Sequence, residues 1–387
     1  LAIPVILGSA TPSLESFANA REGRYALASL TKRASSAAVM PLVRTVDTRA
    51  DRPVEGFSHA LVEAIRARLA RKEQSLIFVN RRGFSPVLFC RACAWHSTCA
   101  RCSANLVMHL GAREMRCHHC GYRGRIPTAC PGCGAADLAP IGHGTQRVEE
   151  TLGALFPDAR IARVDRDSTA RRGSLRTVLE KVRKGEIDIL VGTQMLAKGH
   201  DYPNLTLVGV LDCDSALFSA DFRASERLFS QLVQVSGRAG RAEAAGEVLI
   251  QTDFPGHPLY AAVARQDFAR FAEGALEERR VAGFPPFSHL ALLRAESKKA
   301  GEATAFLKLA ARIARRSAAR LAAKEIEIFD PVPAPLERKA GYERAQLLVR
   351  SASRAALQPF LHAWKEQLLA KGGRHVRWSL DVDPQEV

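Results

Sequence analysis

Eight of the chain's nine cysteines fall between Cys90 and Cys133, as four Cys-x2-Cys pairs. Cys90, Cys93, Cys99 and Cys102 lie in "CRACAWHSTCARC", Cys117 and Cys120 in "CHHC", and Cys130 and Cys133 in "CPGC". A Cys-x2-Cys turn presents two thiolates to one tetrahedral ion, and two such turns close a structural site. Four turns therefore predict two structural zinc sites. Disulfides are the alternative, but they belong to oxidising compartments. No signal peptide opens the sequence, and no apolar run approaches the roughly 18 residues that span a bilayer. The expectation is a reduced, cytoplasmic protein with no membrane partner. Cys99 and Cys102 are separated from Cys117 and Cys120 by fourteen residues, close to a zinc-ribbon spacing. That leaves Cys90 and Cys93 to meet Cys130 and Cys133, a nested arrangement favoured over sequential pairing. Each site adds on the order of 10 kcal/mol of apparent binding energy to folding, in a region with few large apolar residues. His96, His118 and His119 are spare once eight cysteines fill two sites. Arg91, Arg101, Arg113, Arg116, Arg123 and Arg125 surround the pairs; charge balance and nucleic-acid contact are both open readings.

Net charge is +16 over 387 residues, which points to a polyanionic partner, nucleic acid before membrane. The length allows two to four domains. Around the cysteines the pattern alternates. Strands are expected at 75–80, 159–165, 187–192, 205–212 and 247–252. Helices are expected at 144–156 and 173–185, with a further one beginning at 223. Such alternation predicts a parallel sheet covered on both faces. The cysteine module is then an insertion between the first strand and helix of an α/β domain. Working residues are expected in loops past the strand C-termini.

Two loops carry chemistry. "GTQMLAKGHDYP" (192–203) holds Gly192, Thr193, Gln194, Lys198, Gly199 and Asp201 after a strand, with backbone N–H groups and a cation suited to phosphate. "QVSGRAGR" (234–241) spaces Gln234, Arg238 and Arg241 so that a continuing helix would align them. Two guanidiniums aimed at one point suit a triphosphate; a solvated basic turn is the plainer reading.

These segments, with "GSATPS" (8–13), "FVNRRGF" (78–84), "DSALFSADFRASERLFSQ" (214–231) and "WSLDVDP" (378–384), resemble the primosomal replication-restart helicases, the PriA family of superfamily 2. "GSATPS" looks like helicase motif III, "FVNRRGF" like motif IV, "GTQMLAKGHDYP" like motif V and "QVSGRAGR" like motif VI. The resemblance runs from one end of the chain to the other. It implies a RecA-like helicase lobe with a parallel sheet, an inserted module with two four-cysteine zinc sites, and a C-terminal α+β domain. It also implies an ATP-dependent 3′–5′ DNA helicase of replication restart and primosome assembly at stalled forks. ATP and Mg²⁺ would be its cofactors besides two Zn²⁺. DNA, single-stranded DNA-binding protein and other primosome proteins would be its partners. Ser9 and Thr11 would link ATP state to DNA grip, and Thr193, Gln194 and Lys198 would contact DNA or relay nucleotide state. Gln234, Arg238 and Arg241 would approach the nucleotide, with Arg241 as arginine finger.

One departure matters. No G-x-x-x-x-G-K-[ST] occurs in 1–387, and no acidic Walker B box precedes "GSATPS". Phosphate cradle and Mg²⁺ ligands are both required for hydrolysis, so the chain alone is expected to be inactive. An alternative function is a non-catalytic, zinc-dependent DNA-binding or assembly module. The chain begins at Leu1, and "IPVILGSA" reads as a buried strand entering a turn, so the expectation is a C-terminal fragment cut inside a domain. The expected organisation is a lobe-1 remnant at 1–30, a linker at 31–57, lobe 2 at 58–89 and 141–256, and the zinc insertion at 90–140. A connecting helix follows at 257–288, read as one long helix stopped by Gly283. The C-terminal domain is 289–387, read as βαββαβ, a split-βαβ sandwich. In the family this domain binds DNA and helps dock the acidic tail of single-stranded DNA-binding protein, with Arg344 and Gln346 as candidate contacts. Trp364 is expected in its core.

Overall fold

The computed structural model describes residues 3–30, 40–80, 87–90, 92–93, 95, 97–100, 106–109, 113–116, 122–136, 138–141, 145–165, 174–194, 196, 202, 204–217, 221–240, 246–320, 325–371 and 375–386. Contacts divide the chain into two units, Leu1–Ser85 with Gly142–Ala275, and Pro86–Ile141 with Leu276–Val387.

The first unit opens with α1 (Leu14–Arg21), β1 (Leu42–Asp47), α2 (His59–Ala70) and β2 (Gln74–Val79). The chain then enters the second unit through five short strands: β3 (Val87–Cys90), β4 (Val107–His109), β5 (Glu114–Arg116), β6 (Arg123–Arg125) and β7 (Leu138–Ile141). It returns as α3 (Thr145–Leu155), β8 (Ile161–Val164), α4 (Ser174–Arg183), β9 (Ile189–Gly192), β10 (Leu205–Leu211), α5 (Asp214–Leu217), α6 (Ala224–Ser236) and β11 (Glu247–Thr252). Two helices close this unit, α7 (Pro258–Arg265) and α8 (Phe268–Ala282), the second of which runs on into the other unit. Six parallel strands pair in the order β1-β11-β10-β2-β9-β8. β2, β9 and β10 are buried at every position. Their mostly apolar sequences, interrupted by the buried Gln74, Ser75 and Thr206, are what a sheet covered on both faces requires. α2 and α3 supply one cover, with Leu61, Ile65, Val148 and Leu152 packed on Ile77, Val191 and Leu207. Each such side chain contributes about 1.5–3 kcal/mol by burial.

The second unit holds two antiparallel sheets. β3–β7 pair in the order β6-β5-β4-β3-β7 around a small core of Leu88, Met108 and Met115. The other sheet is built from β12 (His289–Ser297), α9 (Glu302–Arg320), β13 (Ile326–Ile328), β14 (Val332–Lys339), β15 (Tyr342–Ser351), α10 (Arg354–Lys371) and β16 (Arg377–Val382). Its order is β13-β15-β12-β16, all antiparallel, with β14 also on β15. This is the expected split-βαβ order with one strand added. α9 and α10 cover one face, and Trp364 is fully buried there with its indole N–H on the Ala310 carbonyl.

Four expectations are corrected. Residues 3–10 form no strand, and Ile3, Val5, Ile6 and Leu7 are exposed, since a strand needs a neighbour to pair with. The segment read as a linker, 31–57, supplies the edge strand β1; its residues 31–39 lie outside the described ones. The single helix at 257–283 is two. Gln266 adopts the left-handed region (φ 50) and ends α7, and the Asp267 carboxylate accepts from the Arg270 N–H to cap α8. The strand β14 was not foreseen, because Pro333 and Pro335 argue against one. Edge position tolerates both prolines, and Ala340 and Gly341, with φ 54 and 83, make the tight turn into β15.

Candidate functional site

β3 delivers Cys90, and the following turn closes when the Cys90 N–H bonds the Trp95 carbonyl at 2.7 Å. Cys130 and Cys133 stand in the turn between β6 and β7. There Gly134 (φ 76) returns its N–H to the Cys130 carbonyl, and the Gly132 N–H points at Cys130 Sγ, 3.3 Å away. The sulfurs of Cys90, Cys93, Cys130 and Cys133 all lie within 4.8 Å of one another. Cys90 to Cys133 is 3.7 Å and Cys93 to Cys130 is 3.6 Å. Disulfide sulfurs sit about 2.05 Å apart. A tetrahedron with Zn–S bonds of about 2.3 Å has edges of about 3.8 Å. The quartet therefore fits a tetrahedral ion and does not fit two disulfides. Cys90 and Cys130 are buried, whereas Cys93 and Cys133 are exposed. Burial works to raise the Cys130 pKa, but N–H groups of Cys133 and Gly132 bring it down to about 7. The Trp95 N–H works to lower Cys93, but hydrogen bonds shared with Cys133 push it up to about 12. Four sulfurs this close share protons unless a cation replaces them.

Among the described residues this is the single group of three or more such ligands brought together. Of the other four paired cysteines, Cys99 is buried, and Cys102, Cys117 and Cys120 lie outside the described residues. So do Arg91, Arg101, His96, His118 and His119. Arg116 and Arg123 both pair with Glu114, which favours charge balance for these two.

The loop residues separate onto two edges of the parallel sheet. Gly192 ends β9, and Thr193 and Gln194 follow it, half-buried. A Cβ on Gly192 would stand 2.6 Å from the Val164 carbonyl, so only glycine fits the turn. Lys198, Gly199 and Asp201 lie outside the described residues. Gln234 and Arg238 sit instead at the edge where strands begin. The Gly240 N–H bonds the carbonyl of Leu205, first residue of β10, and Gly246 bonds Leu42, first residue of β1. Of the two segments singled out in the sequence, Gly192–Gln194 follows a strand C-terminus and 234–240 does not. α6 is a crossover helix, so its last turn must reach the end where β11 starts. The helix that begins at 224 does not continue far enough to align Gln234 with Arg238. α6 ends at Ser236, and the Arg238 and Ala239 N–H groups bond three residues back, before Gly240 (φ 71) turns the chain away. Arg241 lies outside the described residues. Arg238 is half-buried beside Tyr202, whose phenol burial pushes up to about 12 against the pull of the Arg238 and Arg183 charges.

"GSATPS" meets the middle of α6, one turn before Gln234. The Ser9 hydroxyl accepts from the Thr11 N–H, and Thr11 Oγ1 lies 2.9 Å from Ser230 Oγ. Gln234 Nε2 donates to that same Ser230 oxygen at 3.1 Å. The structure thus brings Thr11 and Gln234 to one hydroxyl. Ser230 was not singled out from the sequence, although its place one helical turn before Gln234 was a usable signal. Asp214 faces elsewhere: its carboxylate takes the Asp253 N–H and the Tyr260 hydroxyl at the opposite sheet edge.

Three families match. "Primosomal protein N C-terminal domain" covers residues 280–385, "Helicase conserved C-terminal domain" 143–243, and "PriA DNA helicase Cys-rich region (CRR) domain" 99–125. The chain is 43% identical to the replication restart protein PriA of Haemophilus influenzae over 391 residues, covering 100% of this chain and 52% of that protein. It is 38% identical to the replication restart protein PriA of Bacillus subtilis, covering 98% and 47%. The chain spans about half the length of the curated relatives it matches.

Proposed function

The chain belongs to the replication restart protein PriA family, and from that premise we propose that it supplies the second helicase lobe, the zinc module and a DNA-docking domain of an ATP-dependent 3′–5′ DNA helicase. The proposed task is replication restart and primosome assembly at stalled forks, in the cytoplasm. The observation that carries this reading is the meeting of Thr11 and Gln234 at the Ser230 hydroxyl of α6, with a four-sulfur centre built into the same chain.

In this reading Cys90, Cys93, Cys130 and Cys133 hold one Zn²⁺, and Cys99, Cys102, Cys117 and Cys120 a second. Bound zinc would fix the β3–β7 module, which has only a small apolar core to hold it. Gln234, Arg238 and Arg241 face the nucleotide; their part is to hold and screen phosphate charge. Thr193, Gln194 and Lys198 face DNA, and Gly192, Gly199 and Asp201 shape that loop. ATP and Mg²⁺ belong to the complete catalytic site, for which 1–387 carries neither Walker box. That missing pair favours a second reading for this polypeptide alone, a non-catalytic zinc-dependent DNA-binding or assembly module.

Charge points to DNA as the first partner; single-stranded DNA-binding protein and other primosome proteins are the partners that membership of the family implies. Arg344 lines a cavity of about 240 Å³ with Arg294, Arg377, Trp378 and Glu296; an acidic tail would have to compete there with Glu296, which lies 3.9 and 3.8 Å from Arg344 and Arg377, and with Asp381 on Arg294. Among the described residues no helix is long and apolar enough to cross a membrane. The test is ATP turnover and fork binding by purified 1–387. We expect fork binding without turnover. Robust DNA-stimulated hydrolysis would refute the assignment of inactivity, and no fork binding at low salt would refute both readings.

A further inference from the structure

"GSATPS" and α1 do more than lie against α6; a set of separate contacts holds them there. Leu14, the first residue of α1, gives its N–H to Glu226 Oε1 at 3.2 Å. Glu15 pairs with Arg223 at 2.7 Å, and both side chains are largely shielded from solvent, 25% and 12% exposed. Arg223 also lies 4.0 Å from Glu226, so one guanidinium sits between both carboxylates. Leu14 and Ala18 are buried, and Phe17 meets Phe268 edge-on at 5.2 Å. Phe268 in turn lies beside Phe229 of α6, which stacks on Phe271. These contacts fix the head of α1 one turn away from where Thr11 touches Ser230.

Ser230 is the junction. A hydroxyl has one proton to give and two lone pairs to accept with. Its oxygen takes the Gln234 amide N–H, and a second bond runs to Thr11 Oγ1. A shift of the "GSATPS" turn must therefore break or re-aim the bond to Ser230, and Gln234 sits on the other side of that oxygen. Gln234 is in the last turn of α6, four residues before Arg238.

We infer that Ser230 is a positioning residue that passes the location of the "GSATPS" turn to Gln234, with Glu226 and Arg223 as the latch that keeps α1 in register for it. The inference rests on the reading that Gln234 and Arg238 face a nucleotide, and it names how that face is set.

The test uses the 387-residue chain without nucleotide, so its outcome is independent of whether the ATPase reading survives. Hydrogen exchange is followed over α1, and the Gln234 side-chain amide is followed by NMR. Ser230→Ala and Glu226→Ala should each speed exchange in Leu14–Arg21 about five- to tenfold, the loss of one hydrogen bond. Exchange in β12 and β15 should stay unchanged, which checks folding. Thr11→Val, which does not touch Gln234, should shift the Gln234 amide resonance, as should Ser230→Ala. Ser230→Thr keeps the hydroxyl and should restore both readouts. An unmoved Gln234 resonance in Thr11→Val would overturn the relay. Unchanged α1 exchange in Ser230→Ala and Glu226→Ala would overturn the latch. If Ser230→Ala fails to fold, Thr11→Val at its half-buried site decides.

Discussion

At the scale of single residues, spacing and shape were unequally visible. Four Cys-x2-Cys pairs carry their chemistry in the sequence, because a two-residue gap sets the bite of a turn on one ion. The nested pairing of Cys90 and Cys93 with Cys130 and Cys133 follows from the same arithmetic, and these four sulfurs do converge. Glycine requirements could not be read in this way, because they depend on what lies across space. A Cβ on Gly246 would stand 2.5 Å from the backbone of both Ala239 and Gly240, the turn that carries Arg238. Gly246→Ala should therefore destabilise the first unit by about 1–3 kcal/mol. Gly256→Ala, with open space at its Cβ, should cost much less. Urea unfolding of the two variants checks this; equal midpoints would contradict the packing described.

At the scale of elements, the parallel strands were legible because burial on both faces leaves long apolar runs. Breaks were not. The helical period runs on through Gln266 and Asp267, and only the capping carboxylate tells that α8 starts afresh. Asp267→Ala should cost about 0.5–2 kcal/mol, read as a lowered thermal midpoint, whereas Asp267→Asn should retain most of it. β14 escaped notice for the converse reason: two prolines mask a strand that needs hydrogen bonds on one edge alone. β1 was read as a connector because an edge strand with an exposed outer face has a weak pattern. The crossover of α6 decides which sheet edge receives Gln234 and Arg238, and that follows from topology, which local sequence does not carry.

At the scale of the whole chain, net charge of +16 is the dominant property. Binding to DNA should be governed by counterion release, so affinity should fall at least tenfold between about 50 and about 200 mM salt. Fluorescence anisotropy with a labelled fork checks this; salt-independent binding would contradict a phosphate-led interface. Among the described residues the buried apolar core of the cysteine module is three side chains with a few partly buried neighbours. The central proposal is that sulfur–metal bonds organise this part of the chain. The direct measurement is zinc per chain in purified, fully reduced protein, by elemental analysis with X-ray absorption at the zinc edge. Two ions per chain, each in an all-sulfur shell near 2.3 Å, is the result expected. Fewer than two ions, or cysteines found joined to one another, would contradict it.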